Sequence, residues 1–533
     1  MKTIFKMIFL NLLILSSVFS ASFEEDIKAL DTKSFKTKQK VVEQLALNYA
    51  EDDRLTTLFS KMVQGDLYYT KDDKTFVVLE KKEGKQYFTK NFLTNSALEP
   101  MDKYSFKKVK TNNKLRSVIK NLLAQINLFS KNKEKRLKSA KNILDNVSKD
   151  DEVIIDKVLK TEKDSSIIEV LQEAKYIIVA NNYTGDVQLD AVKNLGDFIS
   201  SKSLATLKAI ESKDSSSDEL KKVAAKSIAS VESSRSFYAV LETAFFGLSQ
   251  GSVLLLAAIG LAITFGVMKV INMAHGELIM IGAYTTYTIQ QIMPGLIEYS
   301  IIIAIPAAFI VSGIVGILIE RLVIRHLYGR PLETLLATFG ISLILQQLVR
   351  SIYSPLNQEV KTPDWMSGAL EINSALSLTY NRLYIIIFAL IVFFAILYVM
   401  KKTSLGLKVR AVSQNRPIAR AMGIKSSYID AATFGIGSGI AGVAGVALSQ
   451  LTNVGPNLGQ AYIVDSFMVV VFGGVGNLWG TLIAAFSLGE INKFIEPVAG
   501  AVLAKVIILV FIILFIQKKP RGLFPQKGRD VED

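Results

Sequence analysis

The sequence predicts an all-α polytopic membrane domain preceded by a mainly helical extracytoplasmic domain with a small β insertion. Residues 22–235 are rich in Lys, Asp, Glu, Ser and Asn, whereas residues 236–525 are mostly Ile, Val, Leu, Ala, Phe and Gly. The second part contains about eight or nine apolar runs, most of them near the length that crosses a bilayer as a helix. Residues 1–21 have the pattern of a secretory signal peptide, which places the first domain outside the cytoplasm.

The signal peptide is predicted from its three regions. Lys2 and Lys6 precede the apolar run 7–15, and mostly small residues follow at 16–21. We expect cleavage close to the end of this stretch. Because the apolar run is short for a spanning helix, an uncleaved anchor is the weaker alternative.

Residues 22–235 are expected to form a helical accessory or docking domain. The chain has helical patterning at 23–60 and 112–232, while the segment 66–90 predicts a hairpin or a three-stranded meander. Similarly patterned segments suggest stacked helical repeats. These segments are 136–144, 189–198 and 220–231. No combination of residues here has the pattern of a catalytic site.

Charge and composition argue against several classes of function. The net charge is +14, from 62 Lys and Arg against 48 Asp and Glu. The excess lies mainly in short loops of the membrane half, and the lysines of the first domain alternate with acids, so we predict no nucleic-acid partner. The chain has no cysteine and only His275 and His326 as histidines. We therefore predict no metal site and no disulfide.

Length and apolarity define the predicted crossings. The run 464–495 is too long for one ordinary span, and GGVGNLWG interrupts it at 473–480. The run 277–291 is shorter and more polar than the others. The remaining candidates are 247–268, 301–324, 333–352, 383–400, 428–450 and 500–517.

Orientation decides how the interrupted run is counted. The loop 401–424 has six basic residues, Lys401, Lys402, Lys408, Arg410, Arg416 and Arg420, and no acidic residue, which places it in the cytoplasm. The basic C-terminal tail is placed there as well. A chain that starts outside and ends inside crosses an odd number of times, so we predict about nine crossings, with a broken or hairpin element at 464–495. The same count places 272–277 at the inner end of the first hairpin.

Two further patterns have both a structural and a functional interpretation. Glycines at 435, 437, 439, 442 and 445 lie on one predicted helix, where they favour close helix packing or, alternatively, sliding during gating. Asn272, His275 and Glu277 interrupt an apolar region, either as an interfacial helix cap or as functional polar groups in the membrane.

The loop 401–424 also has a helical pattern, with Val409, Val412, Ala419 and Met422 on one side and Gly423 as a stop. A basic amphipathic helix facing the cytosol suggests contact with a soluble partner, which makes transport the leading hypothesis. The sequence G-x-x-x-x-G-K-[ST] does not occur, so transport driven by ATP would need the ATPase on a separate chain.

Three segments in order resemble one family. INMAHGELIMIGAY (271–284), GLKVRAVSQNRPIARAMGI (406–424) and VVVFGGVGNLWGTLIAA (469–485) resemble the branched-chain amino acid type permeases of ABC importers, over about 236–525. Within that family, the segments 453–480 and 491–497 and the basic tail look most like the urea permease subunit.

The resemblance implies a subunit of an ATP-driven importer in the bacterial inner membrane. A periplasmic binding protein would deliver urea, a second homologous permease would complete the path, and two cytoplasmic ABC ATPases would bind ATP and Mg. The resemblance thus implies no catalytic residue and no cofactor in this chain. The N-terminal domain would be extracytoplasmic and the C-terminus cytoplasmic.

The resemblance also assigns roles to residues. The ATPase-coupling loop is expected to use Gly406, Arg410, Ala411, Asn415, Arg416, Ala419 and Gly423. A path for a small polar solute needs polar groups within an apolar wall. The candidates for this path are Asn272, His275, Glu277, Gly473, Gly474, Gly476 and Asn477, with Asn453, Asn457 and Gln460 beside them.

Two alternatives stay open at this point. A permease for branched-chain amino acids or short amides would have the same architecture. A passive channel or facilitator with a regulatory external domain would need no ATPase, and the loop 401–424 would then have no docking role. An enzyme embedded in the membrane is not favoured, because no paired acids, Ser/Lys dyad or histidine cluster is visible.

Overall fold

The computed structural model describes residues 23–49, 52–268 and 270–524. The chain divides into two compact units, Met1–Ser234 and Arg235–Asp533. The predicted signal peptide at 1–21 and the end of the basic tail lie outside the described residues.

The first unit begins with three helices and a small antiparallel sheet. The helices are α1 (Phe23–Lys28), α2 (Phe35–Asn48) and α3 (Asp53–Gln64). The strands are β1 (Leu67–Thr70), β2 (Phe76–Glu83), β3 (Gln86–Asn91), β4 (Met101–Asp102) and β5 (Phe106–Lys108), in the order β4-β3-β2-β1-β5. The sheet is larger than the predicted meander, because β4 and β5 add one strand at each edge. Strands of two and three residues are too short to show an alternating pattern.

Helices form the rest of the first unit. They are α4 (Asn113–Asn127), α5 (Lys133–Asp145), α6 (Glu152–Leu159), α7 (Ser165–Asn182), α8 (Asp186–Asn194) and α9 (Ser201–Glu211). Side chains of Asn112, Asn132, Asp164 and Ser200 accept backbone N–H groups at the starts of α4, α5, α7 and α9, and these caps explain why the helices begin there.

The second unit is a bundle of helices. The first, α10 (Asp218–Met268), belongs to this unit from Arg235 onward. The others, in chain order, are α11 (His275–Ile292), α12 (Ile297–Leu322), α13 (Pro331–Tyr353), α14 (Tyr380–Lys402), α15 (Ser404–Gln414), α16 (Arg416–Ala421), α17 (Ser426–Ser449), α18 (Leu458–Gly473), α19 (Leu478–Ala499) and α20 (Ala501–Lys518). Between α13 and α14, β6 (Ala369–Asn373) and β7 (Leu376–Thr379) form a hairpin.

Six of the described helices are long and apolar enough to cross a membrane: α10, α12, α13, α14, α17 and α20. The shorter α18 is also apolar. The chain is therefore a polytopic membrane protein, while the count of nine crossings stays a prediction. The predicted interruption of 464–495 is present as a break between Gly473 and Leu478.

Helix α17 lies at the centre of the bundle, and most of its residues are buried. Its glycines meet the backbones and side chains of three neighbours. A Cβ at Gly437 would contact Gly260 of α10, one at Gly442 would contact Ser312 of α12, and one at Gly445 would contact Ile279 of α11. These glycines therefore allow close packing around α17.

Candidate functional site

The basic segment 401–424 forms two short helices instead of one. Thr403 caps α15, and Asn415 adopts an extended conformation and accepts the Ile418 N–H at 3.0 Å at the start of α16. Pro417 stands in the first turn of α16, where its missing N–H is tolerated. The break therefore comes from the Asn-Arg-Pro sequence, and Gly423, with φ of +83°, ends the second helix as predicted.

The inner face of this segment is apolar. Val409, Val412 and Ala419 pack with Ile429 of α17 and with Met400 at the end of α14. Gly406 is buried, and a Cβ there would collide with the Met400 backbone, so glycine permits the tight turn from α14 into α15. The predicted apolar side included Met422. This residue follows the last residue of α16 and is 78% exposed.

The outer face combines positive charge with exposed apolar side chains. Leu407, Ile418 and Met422 are exposed beside the basic residues Lys408 and Arg410. The guanidinium of Arg410 donates to the Met400 carbonyl oxygen, and this hydrogen bond holds the Arg410 side chain at the end of α14. This surface has the composition of a docking site for a soluble protein.

The seven residues predicted to contact an ATPase have different positions in this segment. Arg410 and Gly423 are exposed, Ala411, Asn415 and Arg416 are half-buried, and Gly406 and Ala419 are buried. The two buried residues, Gly406 and Ala419, contribute to the packing of the segment. The predicted contact with an ATPase stays a prediction for all seven.

Arg416 forms an ion pair with a residue of the bundle. Its Nη1 and Nη2 donate to Oδ2 and Oδ1 of Asp430 in α17, both at 2.9 Å, and its guanidinium lies 4.4 Å from the ring centroid of Tyr328. Asp430 is 1% exposed. A cavity of about 530 Å³ adjoins this pair. Its lining residues are Glu320, Arg325, Tyr328, Gly329, Arg416, Arg420, Ser427 and Asp430.

The segment around His275 was expected at the inner end of the first hairpin, but it lies beside the middle of the apolar part of α10. The His275 Nε2 atom is 2.9 Å from the carbonyl oxygen of Ala257 in α10. Ala257 precedes the end of α10 at Met268 by eleven residues, or about 16 Å along the helix axis. The chain therefore returns along α10 before α11 begins. The length of this irregular return could not be estimated from apolarity alone.

This returning segment places polar groups inside the bundle. Asn272, His275 and Glu277 are each 1% exposed. Asn272 Oδ1 accepts the Ala274 N–H at 3.0 Å in the turn before α11, but α11 itself begins without a side-chain cap, and Glu277 contacts a different helix. The Glu277 Oε1 atom accepts the Ser342 hydroxyl at 2.8 Å and the Gln346 amide at 2.7 Å. Both donors belong to α13.

Helix α13 presents a polar stripe to α11 that the sequence interpretation missed. Its members are Thr334, Thr338, Ser342, Gln346 and Arg350. Thr338 Oγ1 accepts the Met273 N–H at 3.1 Å, and Arg350 donates to Asn457 Oδ1 at 2.8 Å. The spacing of four residues in an otherwise apolar helix is a helical period and was the signal that could have identified the stripe.

The glycine-rich segment 473–477 is a turn at one end of the bundle. Gly474 and Gly476 have positive φ, and Asn477 caps α19 through the Trp479 and Gly480 N–H groups. The Asn477 amide also donates to the Phe524 carbonyl oxygen at 3.1 Å. A cavity of about 760 Å³ lies between this turn and α15, with Arg410 and Gly476 among its lining residues.

The predicted path residues therefore form two groups. Gly276, beside Glu277, packs on Gly459 at the start of α18, while Gly473 is at the end of α18. The two ends are about 21 Å apart along that helix. Asn453, Asn457 and Gln460 are exposed near the start of α18. Within the described residues, no three His, Asp or Glu side chains are close enough to hold a metal ion.

Comparison with known proteins assigns this bundle to a family. The branched-chain amino acid transport system permease component family matches residues 243–516, which span the second half of α10, all of α11 to α19 and most of α20. The chain belongs to this family. Its members are permease components and not enzymes, so the bundle is that of a multi-pass inner-membrane permease.

Individual relatives cover the same share of the chain. The BraD permease of Pseudomonas aeruginosa is 29% identical over 295 residues, covering 54% of this chain and 96% of BraD. The LivH permease of Salmonella typhimurium is 29% identical over 301 residues, covering 54% and 97%. A LivH protein of Methanocaldococcus jannaschii is 27% identical over 286 residues, covering 51% and 88%. No solved structure shows significant similarity to the chain.

Proposed function

We propose that this chain is the membrane-spanning permease subunit of an ATP-driven importer whose cargo is a branched-chain amino acid. The family match over residues 243–516 carries the proposal. The relatives are described as high-affinity branched-chain amino acid permeases, which supports this cargo. The chain works with a second homologous permease, two cytoplasmic ABC ATPases that bind ATP and Mg, and a periplasmic binding protein.

The outer face of 401–424 is the proposed ATPase contact. It offers exposed Leu407, Ile418 and Met422 for an apolar groove and basic residues for acidic groups around it. The positive charge of this loop also supports its placement in the cytoplasm, together with the C-terminus.

The seam between α11 and α13 is the proposed translocation path. Among the described residues, Asn272 Nδ2, His275 Nδ1 and Glu277 Oε2 are buried and have no hydrogen-bond partner. Buried polar atoms are usually paired, so the unpaired Glu277 Oε2 atom, whose carboxyl group contacts α13, suggests that a ligand completes it. His275 contacts α10 through Nε2, so its Nδ1 atom supports the seam less directly. The ammonium and carboxylate of an amino acid would supply a donor and acceptors. The turn at 473–477 would bound the cytoplasmic end of the route.

Urea is the second candidate cargo. The segments 453–480 and 491–497 and the basic tail, which resemble the urea permease subunit, favour it. Urea is small and neutral, and its N–H groups and carbonyl oxygen could pair with the same buried atoms. The architecture of the bundle would be the same for either cargo.

Uptake into proteoliposomes tests the function and separates the cargoes. The chain is reconstituted with the subunits encoded by neighbouring genes, and radiolabelled leucine or urea is supplied with the binding protein outside. We expect leucine to accumulate with ATP and Mg at the ATPase side and not with ADP. Accumulation of urea without leucine would transfer the assignment to urea. Equal flux with ATP and ADP would support the passive channel instead.

A further inference from the structure

The segment 401–424, called the coupling segment from here on, is joined to the central helix α17 by one ion pair with two parallel hydrogen bonds and by a single hydrogen bond from Arg420 to Ser426. Arg416 opens α16, and Asp430 lies in the second turn of α17. Both guanidinium–carboxylate bonds measure 2.9 Å. This bidentate geometry fixes the relative orientation of α16 and α17 more strictly than a single hydrogen bond does. Tyr328, stacked on the guanidinium, limits its movement from another side.

The burial of this pair needs an explanation other than stability. The Asp430 side chain is 1% exposed and the Arg416 side chain 26% exposed. Removing two opposite charges from water offsets much of their attraction, and apolar residues of similar size often stabilise such a position as well or better. The apolar contacts of Val409, Val412 and Ala419 already attach the segment to the bundle. The ion pair therefore adds orientation and mechanical stiffness.

Helix α17 connects this pair to the cluster of Glu277, Ser342 and Gln346, called the polar centre. Gly445 lies fifteen residues after Asp430, or about 22 Å along the helix. A Cβ at Gly445 would contact the backbone of Ile279, two residues from Glu277. Glycines 437 and 442 make similarly close contacts with α10 and α12. A helix with smooth contacts on three sides can shift as a unit, so movement at Asp430 would reach the backbone of α11.

We propose that the Arg416–Asp430 pair is the joint that transmits movement of the coupling segment to α17, and through α17 to the polar centre at Glu277. Both residues are positioning residues, because neither touches cargo. This inference rests on the proposed function, since it requires an ATPase that moves the segment. It assigns Arg416 a role inside the permease and not on its outer face.

The test measures cargo uptake and ATP hydrolysis in the same reconstituted complex. Arg416→Ala and Asp430→Asn each break the joint. The double variant Arg416→Met/Asp430→Leu removes both charges and keeps apolar volume, so neither member of the pair is left buried without its partner. The exchange Arg416→Asp/Asp430→Arg restores a pair with reversed polarity. Lys425→Ala removes one exposed positive charge from the residue that directly follows the segment and serves as the control.

We expect the double variant to co-purify with the ATPases and to hydrolyse ATP, while cargo moved per ATP falls at least tenfold. Arg416→Ala and Asp430→Asn should show the same uncoupling, the exchange should recover part of the ratio, and Lys425→Ala should match wild type. A normal ratio in the double variant overturns the joint.

Two other results would also overturn it. A defect with Arg416→Ala but none with Asp430→Asn would mean that Arg416 contacts the ATPase directly. Loss of co-purification in the double variant would mean that the pair builds the docking surface. A wild-type complex without ATP-dependent uptake is a different failure, because it removes the proposed function itself and the joint with it.

Discussion

Gln346 and Gln347 are neighbours of the same residue type with opposite surroundings. Gln346 is 3% exposed and donates to Glu277 Oε1 at 2.7 Å, whereas Gln347 is exposed. Replacing Gln346 by Leu leaves the buried Glu277 carboxyl group with one hydrogen-bond partner fewer, and an unsatisfied buried polar group costs about 1–3 kcal/mol. Gln346 and Gln347 thus differ in their contacts because they lie on different sides of α13.

We therefore predict that Gln346→Leu lowers cargo uptake at least tenfold and lowers the thermal stability of the purified chain, because Glu277 loses a donor at the polar centre. Gln347→Leu is the matched control and should change neither quantity appreciably. Uptake in proteoliposomes and thermal aggregation in detergent measure the two effects. Equal uptake by the two variants would remove the α11–α13 seam from the path.

Glu173 supplies a residue-scale prediction for the first unit. Burial raises the pKa of its carboxyl, and the hydroxyls of Ser200 and Ser203, which donate to Oε1, only partly oppose this effect. Because the folded-state pKa exceeds the unfolded one, the folded state binds a proton more tightly. The free energy of unfolding therefore falls as pH rises from the unfolded pKa through the folded pKa, and it stays lower at neutral pH.

Glu173→Gln should remove this dependence, because the amide keeps an oxygen acceptor for both hydroxyls and carries no charge. We expect hydrogen exchange in α7 and α9 to slow at pH 8 by roughly fivefold, the effect of about 1 kcal/mol, and to match wild type near pH 4 after correction for intrinsic rates. Glu169→Gln, on the exposed side of α7, should change little at either pH. Faster exchange at pH 8 would contradict the assigned sign.

At the scale of elements, close packing around α17 depends on glycine. A Cβ at Gly442 would lie 2.6 Å from the Ala308 carbonyl oxygen, while a Cβ at Gly340 of α13 has no atom within 4 Å. Gly442→Ala should destabilise the chain by about 1–3 kcal/mol through overpacking. Gly340→Ala should be neutral or stabilise by up to about 1 kcal/mol, because alanine favours the helix. Melting temperatures in detergent that shift equally in both variants would contradict this packing.

Sequence patterns predicted the long apolar helices because burial in lipid requires continuous apolar surface. The break at Gly473–Leu478 was also visible, since clustered glycine interrupts a helix. The position of His275 could not be predicted, because a short irregular segment has no periodicity that indicates its depth within the bundle. Contacts between helices, such as Ser342 with Glu277 or Arg416 with Asp430, are set by packing and leave little trace in local sequence.

The same limit applies to the side-chain positions in the segment 401–424. Its charge pattern and its Gly423 stop were readable because capping and loop bias act locally. The inward position of Arg416 depends on Asp430 in α17, fourteen residues away and in another helix. A charged residue in a basic loop is usually solvated, so pattern alone favours the outer face.

At the scale of the whole molecule, the candidate functional groups lie at different positions along the bundle. The basic coupling segment and the turn at 473–477 line one cavity at one end, with Arg410 and Gly476 in its wall. The polar centre at Glu277 lies within the bundle, and α17 spans the distance between them. The proposed function requires this separation, because it uses ATP in the cytoplasm and holds cargo in the membrane.

Orientation in the membrane is the last prediction, and the absence of cysteine from the sequence makes it directly measurable. Single cysteines replace three exposed serines: Ser215 in the first unit, Ser374 in the β6–β7 turn, and Ser404 at the start of α15. In intact spheroplasts, a membrane-impermeant maleimide should label the first two and spare Ser404→Cys until the membrane is opened, because basic loops remain in the cytoplasm. Labelling of Ser404→Cys in intact spheroplasts would place the coupling segment outside, where no ATPase could reach it, and the ATP-driven mechanism would then be wrong. Protection of Ser215→Cys with labelling of Ser374→Cys would instead leave the permease orientation intact and place the first unit in the cytoplasm.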